Sequence, residues 1–248
     1  MIRFQFLPHF SIRIVITFVV FTAIGTILHE FGHQAVAEYF GYETKLSYGS
    51  VNYFHPGRNT DPIYIEYTEI WKENYENLRD KKSFPKKDRF LELVQALKVK
   101  YPTPKNHSIW IAAGGPIQTM LSSFIGVFIL FYRKSKDKEH FVFLDWIGVF
   151  LALFVLREVF NYVMSVYFRI FYTDPTLSND EFKISSLLGL NRWVIPTLAM
   201  LLGLFICLYV IFRIIPLRYR FTFIISGFVG GILGFFVWLR WLGSILIP

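Results

Sequence analysis

Cysteine and charged residues are both scarce in this sequence of 248 residues. The single cysteine, Cys207, lies in an apolar stretch, which excludes a disulfide framework and a zinc cluster built from thiolates. Charged residues make up 18% of the chain, whereas hydrophobic residues make up 54% and the mean hydropathy is +0.41. This composition is too apolar for an ordinary soluble domain and predicts a protein of the lipid bilayer.

The charge that is present is mostly positive, with 26 Lys and Arg against 18 Asp and Glu and a net charge of +8. Most of the basic residues lie in loops between apolar runs, where Lys and Arg meet lipid headgroups and set membrane topology. We therefore expect the bilayer, with its anionic headgroups, as a partner, and we expect no nucleic acid.

Five stretches are apolar enough to enter or cross a membrane, which takes about 20 mainly apolar residues in a helix. They are a helix over residues 11–40 and spans over 108–132, 141–168, 193–212 and 221–239. The first helix would be roughly 45 Å long, more than the hydrocarbon thickness of about 30 Å. The expected fold is mainly α: one polytopic, multi-pass integral membrane domain over 1–248 with about five transmembrane helices.

A polar insert over residues 42–107 separates the first two spans. Residues 46–54 and 63–67 have the composition of short strands, and the Pro-Gly segment between them predicts a turn. A small β-hairpin is therefore expected, and its edge could receive an extended substrate as an added strand. Residues 86–100 are typical of an amphipathic helix.

Three charged side chains, Asp145, Arg157 and Glu158, fall within the predicted span over 141–168. A charge inside hydrocarbon is costly, so these side chains should face protein or water. We expect Arg157 and Glu158 to form a structural ion pair.

The pattern HExxH, formed by His29, Glu30 and His33, lies in the helix predicted over 11–40. Both imidazoles can point at one metal ion from a single helical face, while Glu30 can reach a water on that ion. Two imidazoles and a third protein ligand leave one open position on zinc, which makes bound water acidic. Glu30 can take up the water's proton and later deliver it to the leaving amine. The pattern predicts Zn²⁺ as cofactor and a hydrolase with Glu30 as its general base.

The segment Ala112-Ala113-Gly114-Gly115-Pro116-Ile117-Gln118 begins the next span. Small residues allow the backbones of two helices to approach closely, and a proline frees a backbone carbonyl. The segment could accommodate the zinc helix or an unwound substrate. Plain helix packing would also explain the glycines.

Together, HExxH in an apolar helix and the later Gly-Pro segment resemble the site-2 protease family of intramembrane zinc metalloproteases. The resemblance implies that Gly114, Gly115, Pro116 and Gln118 form a substrate-binding element. It also implies that an Asp further along the chain is the third zinc ligand.

Asp180, in Ser178-Asn179-Asp180-Glu181, is the nearest match to the family's ligand Asp. By the same resemblance, Asn161 would have a catalytic role, holding substrate backbone or stabilising the developing oxyanion. Its alternative role is hydrogen bonding between helices. Asp174 and Glu158 are alternative third ligands. Asp180 has an alternative role of its own, because Ser-Asn-Asp is also a helix-capping sequence.

The expected function is an intramembrane zinc endopeptidase that hydrolyses peptide bonds of a membrane-anchored protein substrate. One alternative is a membrane-anchored zincin-like protease acting outside the bilayer, although the insert over 42–107 is small for an independent zincin core. The other is a non-enzymatic membrane scaffold or transporter component, which predicts that Glu30→Gln has no effect.

Overall fold

Helices make up most of the structure. The computed structural model of the chain describes residues 6–79, 82–172 and 179–248. In chain order its elements are α1 (Pro8–Tyr39), β1 (Glu43–Ser47), β2 (Ser50–Phe54), α2 (Pro62–Glu73), α3 (Tyr75–Arg79), α4 (Lys87–Lys100), α5 (Lys105–Tyr132), α6 (Phe143–Ala152), α7 (Leu156–Phe171), α8 (Asp180–Leu187), α9 (Val194–Tyr209), α10 (Leu217–Val237) and α11 (Gly243–Leu246). The mainly helical class and the small sheet are as expected.

Four helical stretches of the described residues are long and apolar enough to cross a membrane. They are α1, α5, the stretch Val194–Ile214 that extends α9, and the stretch Leu217–Leu246 that runs from α10 through α11. The first of them begins at Pro8, where a proline fits the first helical position because that position needs no N–H partner. This is the pattern of a helical membrane protein.

The predicted span over 141–168 is divided in two. A 3-10 turn at Leu153–Val155 separates α6 from α7, so this segment is not among the four long helices. Asp145, in the first turn of α6, is fully buried and accepts from Arg133 Nε at 2.9 Å and Lys138 Nζ at 2.8 Å. Its charge therefore faces protein, as expected from the cost of a charge in hydrocarbon.

The main core is formed by buried residues of several helices, among them α1, α6, α9 and α10. Its buried members include Ile14, Val149, Cys207 and Phe223. Gly230 of α10 lies so close to α1 that an added Cβ would meet the carbonyl oxygen of Val15 at 2.9 Å. The close approach of helices through a small residue is typical of packing in membranes, and it holds α1 in place on this side.

The hairpin is shorter than predicted and lies earlier in the chain. Both of its strands fall within residues 43–54, paired antiparallel with Glu43 opposite Phe54 and Ser47 opposite Ser50. The predicted second strand over 63–67 is wrong, because these residues belong to α2. The alternation over 63–67 therefore gives no support to a substrate-binding edge.

The helix α2 forms because its first turn is capped and its apolar residues have helical spacing. Asp61 is the N-cap and accepts from the backbone N–H of Ile63 at 2.9 Å, and Pro62 follows at the first position. Ile63, Tyr67 and Ile70 share one face and pack in a small core with Phe84 and Leu93 of the insert. Within residues 63–67 alone, Ile63, Ile65 and Tyr67 also fit the alternation of a strand.

Asp61 also ties α2 to the end of α4, and this contact predicts a pH-dependent insert. Lys100 Nζ lies 2.7 Å from Asp61 Oδ2 and Tyr101 Oη donates to the same oxygen at 2.6 Å, which lowers the pKa of Asp61 to about 2. Because its pKa is lower in the folded state, Asp61 stabilises the insert fully above the unfolded pKa of about 3.9. The stabilisation is lost as the pH falls toward 2.

We expect Asp61→Ala to lower hydrogen-exchange protection of α2 amides about fivefold at neutral pH, as loss of an N-cap does. Asp88→Ala, at an exposed position in the first turn of α4, is the matched control and should leave α2 unchanged. Equal protection of α2 in the wild type and Asp61→Ala at pH 6 would contradict the assignment.

Candidate metal centre

The histidines of the HExxH pattern lie on the side of α1 that contacts α5 and α8. His29 and His33 are 1% and 8% exposed, and their Nε2 atoms lie 3.2 Å apart. Residues four apart return to nearly the same face of an α-helix, so α1 alone brings the two rings together. Glu30, between them in sequence, is also buried.

Asp180 completes the group from a different part of the chain. Its Oδ2 atom lies 3.2 Å from Nε2 of His29 and 3.2 Å from Nε2 of His33. A tetrahedral zinc ion with bonds of about 2.0–2.1 Å would place its ligand atoms about 3.3–3.4 Å apart. The three atoms therefore have the spacing of ligands to one metal ion, and they could hold one.

The hydrogen bonds behind the rings support a cation between the three ligand atoms. Nδ1 of His33 lies 2.6 Å from the carbonyl oxygen of Ile111, which can only accept, so this nitrogen carries a proton. A neutral His33 then directs a lone pair at the Asp180 carboxylate. A metal ion between the three ligand atoms would satisfy all three sides of the triangle at once.

Asp180 is ionised in this setting. Burial raises the pKa of its carboxyl, but the contacts with His29 and His33 outweigh burial, and the pKa lies well below its ordinary value. The residue is the first of α8, and Asn179 occupies the cap position without a side-chain cap bond. The carboxylate of Asp180 thus faces the histidines, which favours the ligand role over the capping role.

Two supporting groups were not predicted from the sequence. Thr119 of α5 is buried and its Oγ1 lies 2.8 Å from Nδ1 of His29, and the Ile111 carbonyl supports His33 in the same way. Groups behind metal-binding imidazoles fix the orientation of the ring. Sequence spacing could have indicated Thr119, because it lies one helical turn after Gly115 on the face of α5 that meets α1.

We expect Thr119→Val to weaken zinc binding about 10- to 100-fold, the usual effect of removing such a supporting group. The valine keeps the shape of threonine and removes the hydroxyl. Zinc affinity would be measured by competition with a chelator. Thr17→Val is the control, because that hydroxyl bonds the Arg13 carbonyl of its own helix at 2.7 Å, and it should bind zinc like the wild type. Unchanged affinity in Thr119→Val would contradict the supporting role.

The glycines of the Gly-Pro segment let α5 approach α1 closely. Gly32 and Gly114 face each other so closely that a Cβ on either would collide with the other's backbone. Gly115 lies directly beneath the metal centre, because an added Cβ would collide with Nε2 of both histidines. Of the two uses expected for these glycines, the contacts show accommodation of α1, and substrate binding stays a prediction.

Pro116 lies inside α5, directly after Gly115. Gln118 donates from Nε2 to Ser122 Oγ at 2.9 Å, while its buried Oε1 has no partner among the described residues. Their roles in substrate binding stay predictions.

None of the remaining candidates among the described residues belongs to the group of three ligand atoms. Asn161 is half-buried on α7, and no hydrogen bond between described residues joins its side chain to the histidines, so its catalytic role stays a prediction. Glu158 is buried but does not belong to the group that could hold a metal, and its carboxylate oxygens have no hydrogen-bond partner among the described residues. Asp174 lies outside the described residues.

Arg157 does not pair with Glu158, and that prediction is wrong. Adjacent residues of a helix point in different directions. Nη2 of Arg157 instead lies 3.6 Å from Oε1 of Glu30. The glutamate of the HExxH pattern therefore has the positive charge of Arg157 beside it.

Comparison with models of known protein families finds no match, and comparisons with curated proteins and with solved structures find none either.

Proposed function

We propose that the chain is a multi-pass intramembrane zinc endopeptidase of the site-2 protease type, which hydrolyses peptide bonds of membrane-anchored proteins. The observation that carries the proposal is the triangle of ligand atoms with 3.2 Å sides from His29, His33 and Asp180. Two of these residues lie in a helix long and apolar enough to span a membrane. Ionisable residues in such a helix are costly and mark functional sites.

Zinc is the metal that this donor set favours. Two imidazoles and one carboxylate oxygen are typical of catalytic zinc sites, which keep a fourth position open. Zinc bound there would supply a water of lowered pKa and polarise the substrate carbonyl. His29, His33 and Asp180 would hold the ion, while Thr119 and the Ile111 carbonyl keep the imidazoles oriented.

Glu30 holds and moves the proton in the proposed reaction. Its side chain is buried and follows His29 directly in the HExxH pattern, whose glutamate typically acts as the general base on the attacking water. It accepts the water's proton as the water oxygen bonds to the carbonyl carbon. It then delivers that proton to the amide nitrogen as the C–N bond breaks.

The centre lies on α1, a helix long and apolar enough to cross a membrane, which supports a membrane-anchored substrate. His29 lies roughly 30 Å along the helix from Pro8 and roughly 15 Å before its end at Tyr39. A membrane helix protects its own amides by internal hydrogen bonds, so the substrate must unwind locally before it is cleaved.

The insert gives no support to a zincin-like domain outside the bilayer. In its described residues, Ile70, Phe84 and Leu93 form the small core and no residue supplies a metal ligand. The proposed ligands come instead from α1 and α8.

The proposal is tested by labelling new protein N-termini in membranes of cells that make the chain naturally, with wild type compared to Glu30→Gln. We expect N-termini that appear only with the wild type and lie within or beside the spans of other membrane proteins. Wild-type-specific cuts confined to soluble regions would favour the membrane-anchored zincin. Identical sets of N-termini would favour the non-enzymatic scaffold or transporter component.

A further inference from the structure

Arg157 is placed beside the proposed general base by the break between α6 and α7. It is the second residue of α7, directly after the 3-10 turn Leu153–Val155. Among the ion pairs that the described residues form, its 3.6 Å contact with Glu30 is the one that brings a Lys or Arg to the HExxH group. Because arginine is always protonated, this positive charge is permanent.

Much of the hydrogen-bonding capacity of Arg157 is unused. Its contact with Glu30 is longer than a hydrogen bond, and its buried Nε has no hydrogen-bond partner in the described part of the chain. A buried donor without a partner costs free energy. The side chain is 30% exposed, so an incoming molecule can reach part of it.

A second arginine of the same chain shows the geometry of a pair that only neutralises charge. Arg89 binds Glu66 with two parallel hydrogen bonds, both 2.8 Å long. Arginine and carboxylate often form such two-bond pairs, and Arg89 does so although its Nη1 also donates to Glu92 at 3.2 Å. Arg157 lies near Glu30 without forming these two hydrogen bonds, which leaves N–H groups of Arg157 available for a further acceptor.

We infer that Arg157 is a further catalytic residue, which donates hydrogen bonds to the carbonyl oxygen of the scissile peptide; this inference rests on the proposed function. As the water oxygen bonds to the carbonyl carbon, the π electron pair moves onto the carbonyl oxygen and Glu30 takes the proton. The guanidinium stabilises the resulting negative charge. When the C–N bond breaks, the electron pair returns to the carbonyl and the nitrogen takes the proton from Glu30.

The inference is tested with Arg157→Met, Arg157→Lys and the control Arg169→Met on the same helix. The assay is cleavage of fluorescein-labelled casein, an unfolded protein, by detergent-solubilised protein at the plateau of the pH profile. We expect Arg157→Met to lower kcat about 100- to 1,000-fold with KM within about twofold, as loss of an oxyanion donor does. Arg157→Lys should recover about tenfold, because lysine keeps the charge but not the planar fork. Arg169→Met should match the wild type.

Binding supplies a readout that does not depend on turnover. A tetra-alanine peptide phosphinate, whose charged oxygens mimic the tetrahedral intermediate, should bind zinc-loaded Arg157→Met about 100-fold more weakly than the wild type. Zinc per chain should be unchanged.

A residue that only neutralised Glu30 would shift the acid limb of the pH profile, and plateau kcat and phosphinate affinity would stay within threefold of the wild type. That result overturns the inference and leaves the proposed function intact. A wild type that holds zinc in neither purified nor reconstituted form and cleaves no casein overturns both.

Discussion

Glu30→Gln is expected to lower kcat for casein cleavage by about 10²–10⁴-fold, the range attributed to general acid–base catalysis. Glutamine keeps the shape of the side chain but cannot accept the proton of the attacking water. Glu30 lies outside the triangle of ligand atoms, so zinc per chain should be unchanged. The loss should therefore appear in kcat with the metal still bound, which separates a missing base from a missing metal.

Glu38→Gln is the matched control for this substitution. Glu38 lies on the same helix, where its exposed carboxylate accepts from Gln34 at 2.8 Å. We expect it to cleave casein within about twofold of the wild type, as surface substitutions do. A Glu30→Gln variant as active as Glu38→Gln would contradict the assignment of Glu30 as the base.

The second large effect is expected at Gly115, where a single added methyl group should strongly weaken metal binding. A Cβ at this position would collide with Nε2 of His29 and of His33, the atoms that would bind the ion. The rings cannot retreat freely, because Thr119 and the Ile111 carbonyl hold them from behind. We expect Gly115→Ala to lower zinc affinity at least about 100-fold, the upper range for changes around a metal site.

Gly231→Ala separates this effect from the general cost of changing a glycine in a membrane helix. Gly231 lies in α10, and an added Cβ there meets no atom within 4 Å. Both variants gain the same methyl group in a helix, so only Gly115→Ala should lose zinc. If both variants hold zinc like the wild type, the position of Gly115 beneath the centre is contradicted.

Features that depend on local periodicity were predictable from the sequence. Long apolar stretches gave four of the helices within a few residues, and HExxH placed two histidines and a glutamate together on α1. The second strand was misplaced because Ile63 and Tyr67 fit two patterns: a helical period that Ile70 continues, and a short alternation that Ile65 completes. The cap by Asp61 decides between the two, since it satisfies the first N–H groups of a helix.

Non-local features were harder to predict. The sequence singled out Asp180 only by resemblance, and its proximity to the histidines depends on where α8 packs against α5. Thr119 carries no motif, and its role is visible only through the hydrogen bond to His29. Arg157 was paired with its neighbour in sequence, whereas the break before α7 turns it toward Glu30.

Zinc per chain in detergent-purified protein tests the central claim most directly, with the wild type, His33→Ala and Asp180→Ala prepared identically. The account predicts close to one zinc per chain in the wild type and a large loss in both variants, because each variant removes one side-chain ligand of the triangle. Folding would be checked by the helical signal in circular dichroism. A well-folded wild type without zinc, or an Asp180→Ala variant that keeps it, would contradict the proposed metal centre.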